Sequence, residues 1–93
     1  MLSYEVLEKA SSCLKVIAHP VRLRMIELLL ENEYTVGDLA ELCEVKQNVA
    51  SEHLRLMQNC GLMCSERRGR KVFYQVAQVH LSLILDCIRN HIK

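Results

Sequence analysis

The sequence has 93 residues, 51% of them hydrophobic, and a formal net charge of +1. A chain of this length forms one domain and buries only roughly 60–65% of its unfolded surface, so this much apolar material exceeds what a small monomer hides and an oligomer is expected. There is no apolar run long enough to span a membrane and no secretory pattern at the start; with five cysteines, an odd number, reduced thiols in the cytoplasm are expected.

The net charge names no partner, but its distribution says more. Residues 1–44 carry four Lys/Arg against eight Asp/Glu, whereas residues 45–93 carry eight against three. Such asymmetry points the second half toward a polyanion. No repeat, low-complexity segment or Gly/Ser linker divides the chain, so residues 1–93 read as a single domain.

Tyr4–Ile17 is expected to be a helix, with Leu7, Ala10, Leu14 and Ile17 in an apolar stripe and Val6 and Cys13 beside it. Ala18-His19-Pro20 breaks that helix. Pro20 suits the first turn of the next one, over Pro20–Leu30, because its missing N–H is no loss there. His19 reads as a helix-start residue. Met25, Ile26, Leu28, Leu29 and Leu30 make the end of this second helix apolar nearly all round, which places it centrally in the core. Glu31-Asn32-Glu33 reads as a polar connection.

Thr35 to Leu62 reads as two short helices joined by a tight turn. In the first, near Val36–Cys43, Val36, Leu39, Ala40 and Cys43 share a face, and Thr35 with Asp38 has the spacing of a capping box. In the second, near Lys46–Asn59, Val49, His53, Leu56 and Met57, with Leu54 and Cys60, are assigned to the apolar side. The opposite face is small and polar: Gln47, Asn48, Ser51, Glu52 and Arg55. Amide and hydroxyl side chains there can read base edges in a major groove, and Arg can grip a phosphate.

Gly61 has the position of a helix C-cap. The period then changes: Leu62–Arg67 and Lys71–Val76 flank Arg68-Gly69-Arg70 as a β-hairpin whose tip carries Arg67, Arg68, Arg70 and Lys71. A tip of that charge, directly after a candidate recognition helix, suits salt-sensitive phosphate contacts. Phe73 and Tyr74 read as packing residues. The last helix spans about Val79–Ile92, with Leu81, Ile84, Leu85, Ile88 and Ile92 in register. A small core cannot cover both terminal helices, so they are expected to pack against a twofold mate.

This order is that of a winged helix-turn-helix, mainly α with a small β-hairpin (α-α-α-α-β-β-α). The chain resembles the ArsR-type (ArsR/SmtB) bacterial transcriptional repressors over nearly its whole length. The resemblance is carried by Leu14 through Arg24, by Gln47-Asn48-Val49-Ala50-Ser51-Glu52-His53-Leu54 and by Arg68-Gly69-Arg70-Lys71-Val72-Phe73-Tyr74. It implies a homodimer through the terminal helices, bound to double-stranded DNA at an inverted-repeat operator with half-sites about 34 Å apart. Lys46, Gln47, Asn48, Ser51, Glu52, Arg55, Arg67, Arg68, Arg70 and Lys71 then become the candidate DNA contacts. Glu52 departs from the pattern, since an acid near phosphates repels unless it accepts from a cytosine amine.

The resemblance also implies release by an inducer. Thr35-Val36-Gly37-Asp38-Leu39 lacks the two thiols of the arsenic-type site, and Glu27 replaces the thiol of the persulfide sensors. Of the cadmium/lead-type pair only Cys60 remains, with Leu56 at the other position. The zinc-type pattern on the last helix keeps His80 and His91 at their spacing but has Gln78 for its carboxylate, and its fourth position falls past Lys93. His80, Cys87 and His91 can form a set for Zn²⁺ or a softer divalent ion acting as inducer, across an antiparallel partner helix. No cofactor is required. The competing route is thiol chemistry: Cys13 with Cys87 on the interface helices, and Cys60 with Cys64 at the junction of helix and wing. Cys43 reads as a small buried hydrophobe.

The sequence holds no Ser/His/Asp set, no Gly-rich phosphate loop and no Cys-x-x-Cys motif, which argues against an enzyme. The alternatives to an inducible repressor are a thiol-redox sensor repressor and a winged-helix dimerisation module that senses nothing.

Overall fold

A computed structural model describes residues 1–92; Lys93, the last residue of the expected domain, lies outside the described residues. The elements run α1 (Tyr4–Ile17), α2 (Pro20–Glu31), β1 (Tyr34–Thr35), α3 (Val36–Leu42), α4 (Gln47–Asn59), β2 (Met63–Arg68), β3 (Lys71–Val76) and α5 (Leu81–His91). This is the winged helix-turn-helix order, with one addition. Glu31-Asn32-Glu33 does not run straight into α3. A two-residue strand intervenes and pairs antiparallel with β3, Tyr34 opposite Tyr74 and Thr35 opposite Phe73, giving a sheet ordered β1-β3-β2. Two residues carry no alternating pattern, so only the pairing itself defines this strand.

Local chemistry explains most boundaries. The Ser3 hydroxyl accepts from the Val6 amide and starts α1. His19 caps α2, its Nδ1 accepting from the Val21 amide at 3.1 Å, with Pro20 in the first turn. At α3 the capping box is complete. The Asp38 amide donates to Thr35 Oγ1 at 3.1 Å, and the Thr35 amide donates to Asp38 Oδ2 at 3.2 Å. α5 is shorter at its start than the pattern implied, because Val79 and His80 form a turn before Leu81.

Two turns need a left-handed residue. Gly61 (φ 78°) ends α4 and Gly69 (φ 64°) closes the wing. Between α3 and α4 the same job falls to Glu44 (φ 56°), a non-glycine, and the Val45 amide closes the turn onto the Ala40 carbonyl at 3.0 Å.

The core lies between α2, α3, α4 and the first residues of the wing: Met25, Ile26, Leu29, Leu39, Ala40, Ala50, Leu54, Met57, Leu62 and Met63, closed by Ile17, Leu81 and Leu85. α2 is central, as expected. Burial corrects the apolar side of α4 by one position: Ala50 is fully buried, while Val49 is exposed. Val49 is apolar but sits on the Gln47–Ser51 side of the helix, and apolar spacing alone could not tell the two alanine- or valine-bearing rows apart. Tyr4, Val6, Leu7 and Leu14 on α1, Leu83 on α5, and the flanking Val79 and Ile92 are exposed.

Candidate nucleic-acid interface

α4 packs inward through Ala50, His53, Leu54 and Met57, so the direction of its outer face follows from helical geometry. Gln47, Asn48, Ser51, Glu52 and Arg55 are all exposed on that side. Glu52 and Arg55 form a forked pair, with Arg55 Nη2 donating to Glu52 Oε1 at 2.6 Å and Nε to Oε2 at 3.2 Å. The Arg55 guanidinium holds the Glu52 carboxyl below its ordinary pKa. The acid that departs from the family pattern therefore carries its own counter-charge.

Lys46 is the N-cap of α4, not a helical residue, and supplies no side-chain cap bond. The first amides of the helix stay open to an incoming acceptor, at the positive end of its dipole. Beside them is an open cleft of about 350 Å³ lined by Thr35, Val36, Gly37, Gln47, Arg70, Lys71 and Val72. The start of the candidate recognition helix and two cations of the wing thus face one space.

The four cations of the wing are not equivalent. Arg68 donates through Nη2 to Glu33 at 2.8 Å and to Glu66 at 3.0 Å, and stacks over the Phe73 ring at 4.8 Å. Gln75 also donates to Glu33. Arg67 Nε donates to the Gly69 carbonyl at 3.2 Å across the turn. Arg68 therefore braces the wing against the segment before β1, while Arg70 and Lys71 border the cleft. Glu33 was read as part of a polar connection; its role depends on a partner 35 positions away, which no local pattern signals.

Arg22 is a second residue that spacing did not single out. Its Nε donates to His53 Nδ1 at 2.9 Å and its Nη1 to the Val16 carbonyl at 3.0 Å. It ties α2 to α4 and to the end of α1. The His19 and His53 rings lie 4.6 Å apart. Burial, then Arg22, then His19 push the His53 pKa down, against a smaller opposing pull from Glu52.

The candidate inducer residues are dispersed within one subunit. His80 caps α5, Cys87 is exposed in its middle and His91 is exposed at its end. Among the described residues no group of three or more His, Cys, Asp or Glu is close enough to hold a metal. All five cysteines are free. Within the subunit the residue that meets Cys13 is Cys60, not Cys87: the Cys13 thiol donates to the Cys60 carbonyl at 3.7 Å where α1 packs on α4. Cys64 is exposed on β2 and is not part of that contact. Cys43 is half-buried, with its thiol pKa raised by burial.

Comparison with known proteins agrees with this geometry. The family described as "Bacterial regulatory protein, arsR family" matches residues 19–63, from the cap of α2 to the first residue of the wing. The chain is 34% identical over 87 residues to the HTH-type transcriptional repressor SmtB of Mycobacterium tuberculosis, covering 92% of this chain and 64% of SmtB, so it spans less than two thirds of that relative's length. It is 32% identical to the HTH-type transcriptional regulator NmtR of the same organism, covering 91% of this chain and 71% of NmtR. Its fold is similar to the homodimeric winged helix-turn-helix DNA-binding domain of a possible ArsR-family regulator from Mycobacterium bovis, with a TM-score of 0.84, 22% identity, and coverage of 94% of this chain and 83% of that one. The matched segment, and an identity above 30% that spans more than two thirds of NmtR, lead to one assignment: this chain belongs to the arsR family of bacterial regulatory proteins.

Proposed function

We propose that this protein is a cytoplasmic, homodimeric transcriptional repressor that binds an inverted-repeat operator in double-stranded DNA. The observation that carries this reading is the shared cleft: the uncapped start of α4, Gln47, Arg70 and Lys71 converge on one open space. A DNA phosphate placed there would meet helix amides and two cations, with Gln47, Asn48 and Ser51 set toward the adjoining base edges. Lys46, Arg55 and Arg67 flank that surface. Arg68 acts through the wing's shape, since its charge is already matched by Glu33 and Glu66.

The dimer part of the reading rests on the exposed apolar side chains of α1 and α5 and on the homodimeric Mycobacterium bovis neighbour. An inducer acting through the dimer would use α5. His80 and His91 are separated by eleven positions, about 16 Å of helix rise, so a Zn²⁺ or softer divalent ion would have to draw them from antiparallel partners, with Cys87 between. Locking one relative angle of the subunits would release DNA through the difference in affinity between the two dimer forms.

Fluorescence anisotropy with a duplex from the region upstream of the coding sequence, and with a scrambled duplex, tests the reading. Preference for the upstream duplex, weakened by about 1–3 kcal/mol in Gln47→Ala or Ser51→Ala, is the expected result. Equal and weak binding to both duplexes at moderate salt would leave a dimerisation module.

A further inference from the structure

The DNA interface leaves one pair of nucleophilic side chains unused. Cys13 on α1 and Cys60, the C-cap of α4, are 47 positions apart, yet the Cys13 thiol lies 3.7 Å from the Cys60 carbonyl, to which it donates, and burial followed by the neighbouring Cys13 thiol pushes the Cys60 pKa up. Both are half-buried, so an ion can reach them while most of its shell would be protein. Cys64 and Cys87 are exposed, and the Cys43 thiol is set by burial and by Arg24.

The donor set decides the class of ligand. Among the described residues no third His, Cys, Asp or Glu joins these two sulfurs, and zinc wants four ligands. Two thiolates alone suit a soft d¹⁰ ion that accepts linear coordination. Charge narrows the choice further. A monovalent ion with two thiolates carries one negative charge, and the Arg22 guanidinium stands near Cys60, held in place by His53 and the Val16 carbonyl. A divalent ion would leave a neutral complex that gains nothing from that guanidinium.

We propose that Cys13 and Cys60 form a two-coordinate site for a soft monovalent cation of the Cu⁺ or Ag⁺ class, joining α1 to the end of α4. One ion replaces two thiol protons, M⁺ + 2 RSH giving [M(SR)₂]⁻ + 2 H⁺, and no electrons move. This site lies within one subunit and is distinct from the α5 residues. It does not depend on the DNA reading, and its test uses no DNA.

The reduced chain is titrated anaerobically with Ag⁺ and with Cu⁺ against a competing chelator. Uptake of one ion per subunit, with the ultraviolet absorption of a metal thiolate, is expected in the wild type and in the Cys64→Ser, Cys87→Ser double variant, and is lost in Cys13→Ser and in Cys60→Ser. A measurement on the unaltered chain guards against misfolded variants. Alkylation followed by peptide mass spectrometry should show Cys13 and Cys60 protected about tenfold by the ion, since a metal-capped thiolate is not free to attack, with Cys64 and Cys87 unprotected. Uptake that survives in either single variant, or protection spread over all exposed thiols, overturns the proposal. So does a reduced protein that takes up neither ion but forms a Cys13–Cys60 disulfide in air.

Discussion

The α2–α4 block and the terminal helices are made of the same apolar residue types and meet opposite environments. Met25, Leu39, Leu54 and Met57 have no exposed surface, whereas Tyr4, Leu14, Leu83 and Ile92 are each more than half exposed. One subunit is enough to complete the first region. The second is half-built: Ile17 from α1, and Leu81 and Leu85 from α5, close the core with Val16, Ile84 and Ile88 packed against it, while Tyr4, Val6, Leu7, Leu14 and Leu83 are exposed. Amphipathic spacing identifies a face to be covered, but not whether the cover comes from the same chain.

The largest expected effect breaks the comparison on the buried side. Leu54→Ala removes a fully buried side chain and should lower the unfolding free energy by about 2–5 kcal/mol in urea titration. Leu85→Arg belongs to this class and not to the interface class, because Leu85 packs in its own subunit's core; it should unfold the subunit. On the exposed side, Leu83→Arg should keep the helical circular-dichroism spectrum and abolish association in sedimentation equilibrium. A folded, still dimeric Leu83→Arg would place the interface elsewhere.

A smaller effect divides the wing in the same manner, into cations left open and a cation already engaged. Arg70→Ala and Lys71→Ala should each reduce the salt slope of DNA binding by about one. Arg68→Ala should change that slope less, since Glu33 and Glu66 already neutralise the guanidinium. Equal slope changes in all three would show that Arg68 leaves its carboxylates when DNA binds.

The smallest effect is a pH dependence at the seam between the regions. His53 is held neutral by burial, by Arg22 and by His19, and Glu52 opposes this weakly. Its folded pKa lies below its unfolded value of about 6.5, so the unfolded chain takes up the proton first. Its stabilising contribution is complete above about pH 6.5 and falls away as the pH drops from there through the folded pKa. Urea midpoints between about pH 7 and about pH 5 should therefore decline more steeply in the wild type than in His53→Gln. Parallel declines would mean that other groups set the slope.

Much of the fold was legible because its signals are local. Thr35 with Asp38, His19 before Pro20, and the Gly69 turn act over two to four positions, where neighbouring residues meet in almost any conformation that forms the element. The outer face of α4 was legible for the same reason, up to the ambiguity between Val49 and Ala50. The wing's four cations were readable as a cluster but not as individuals.

The sequence alone determined the element order, the caps, the basic second half and the surplus of apolar surface. Only the tertiary structure decided that Arg68 braces the wing through Glu33, that Arg22 joins α2 to His53, that Tyr34–Thr35 becomes a strand, and that Cys13 meets Cys60 within the subunit. These contacts join residues tens of positions apart. Their partners are selected when the core closes the intervening loops, so they are properties of the packed chain and not of any one segment's pattern.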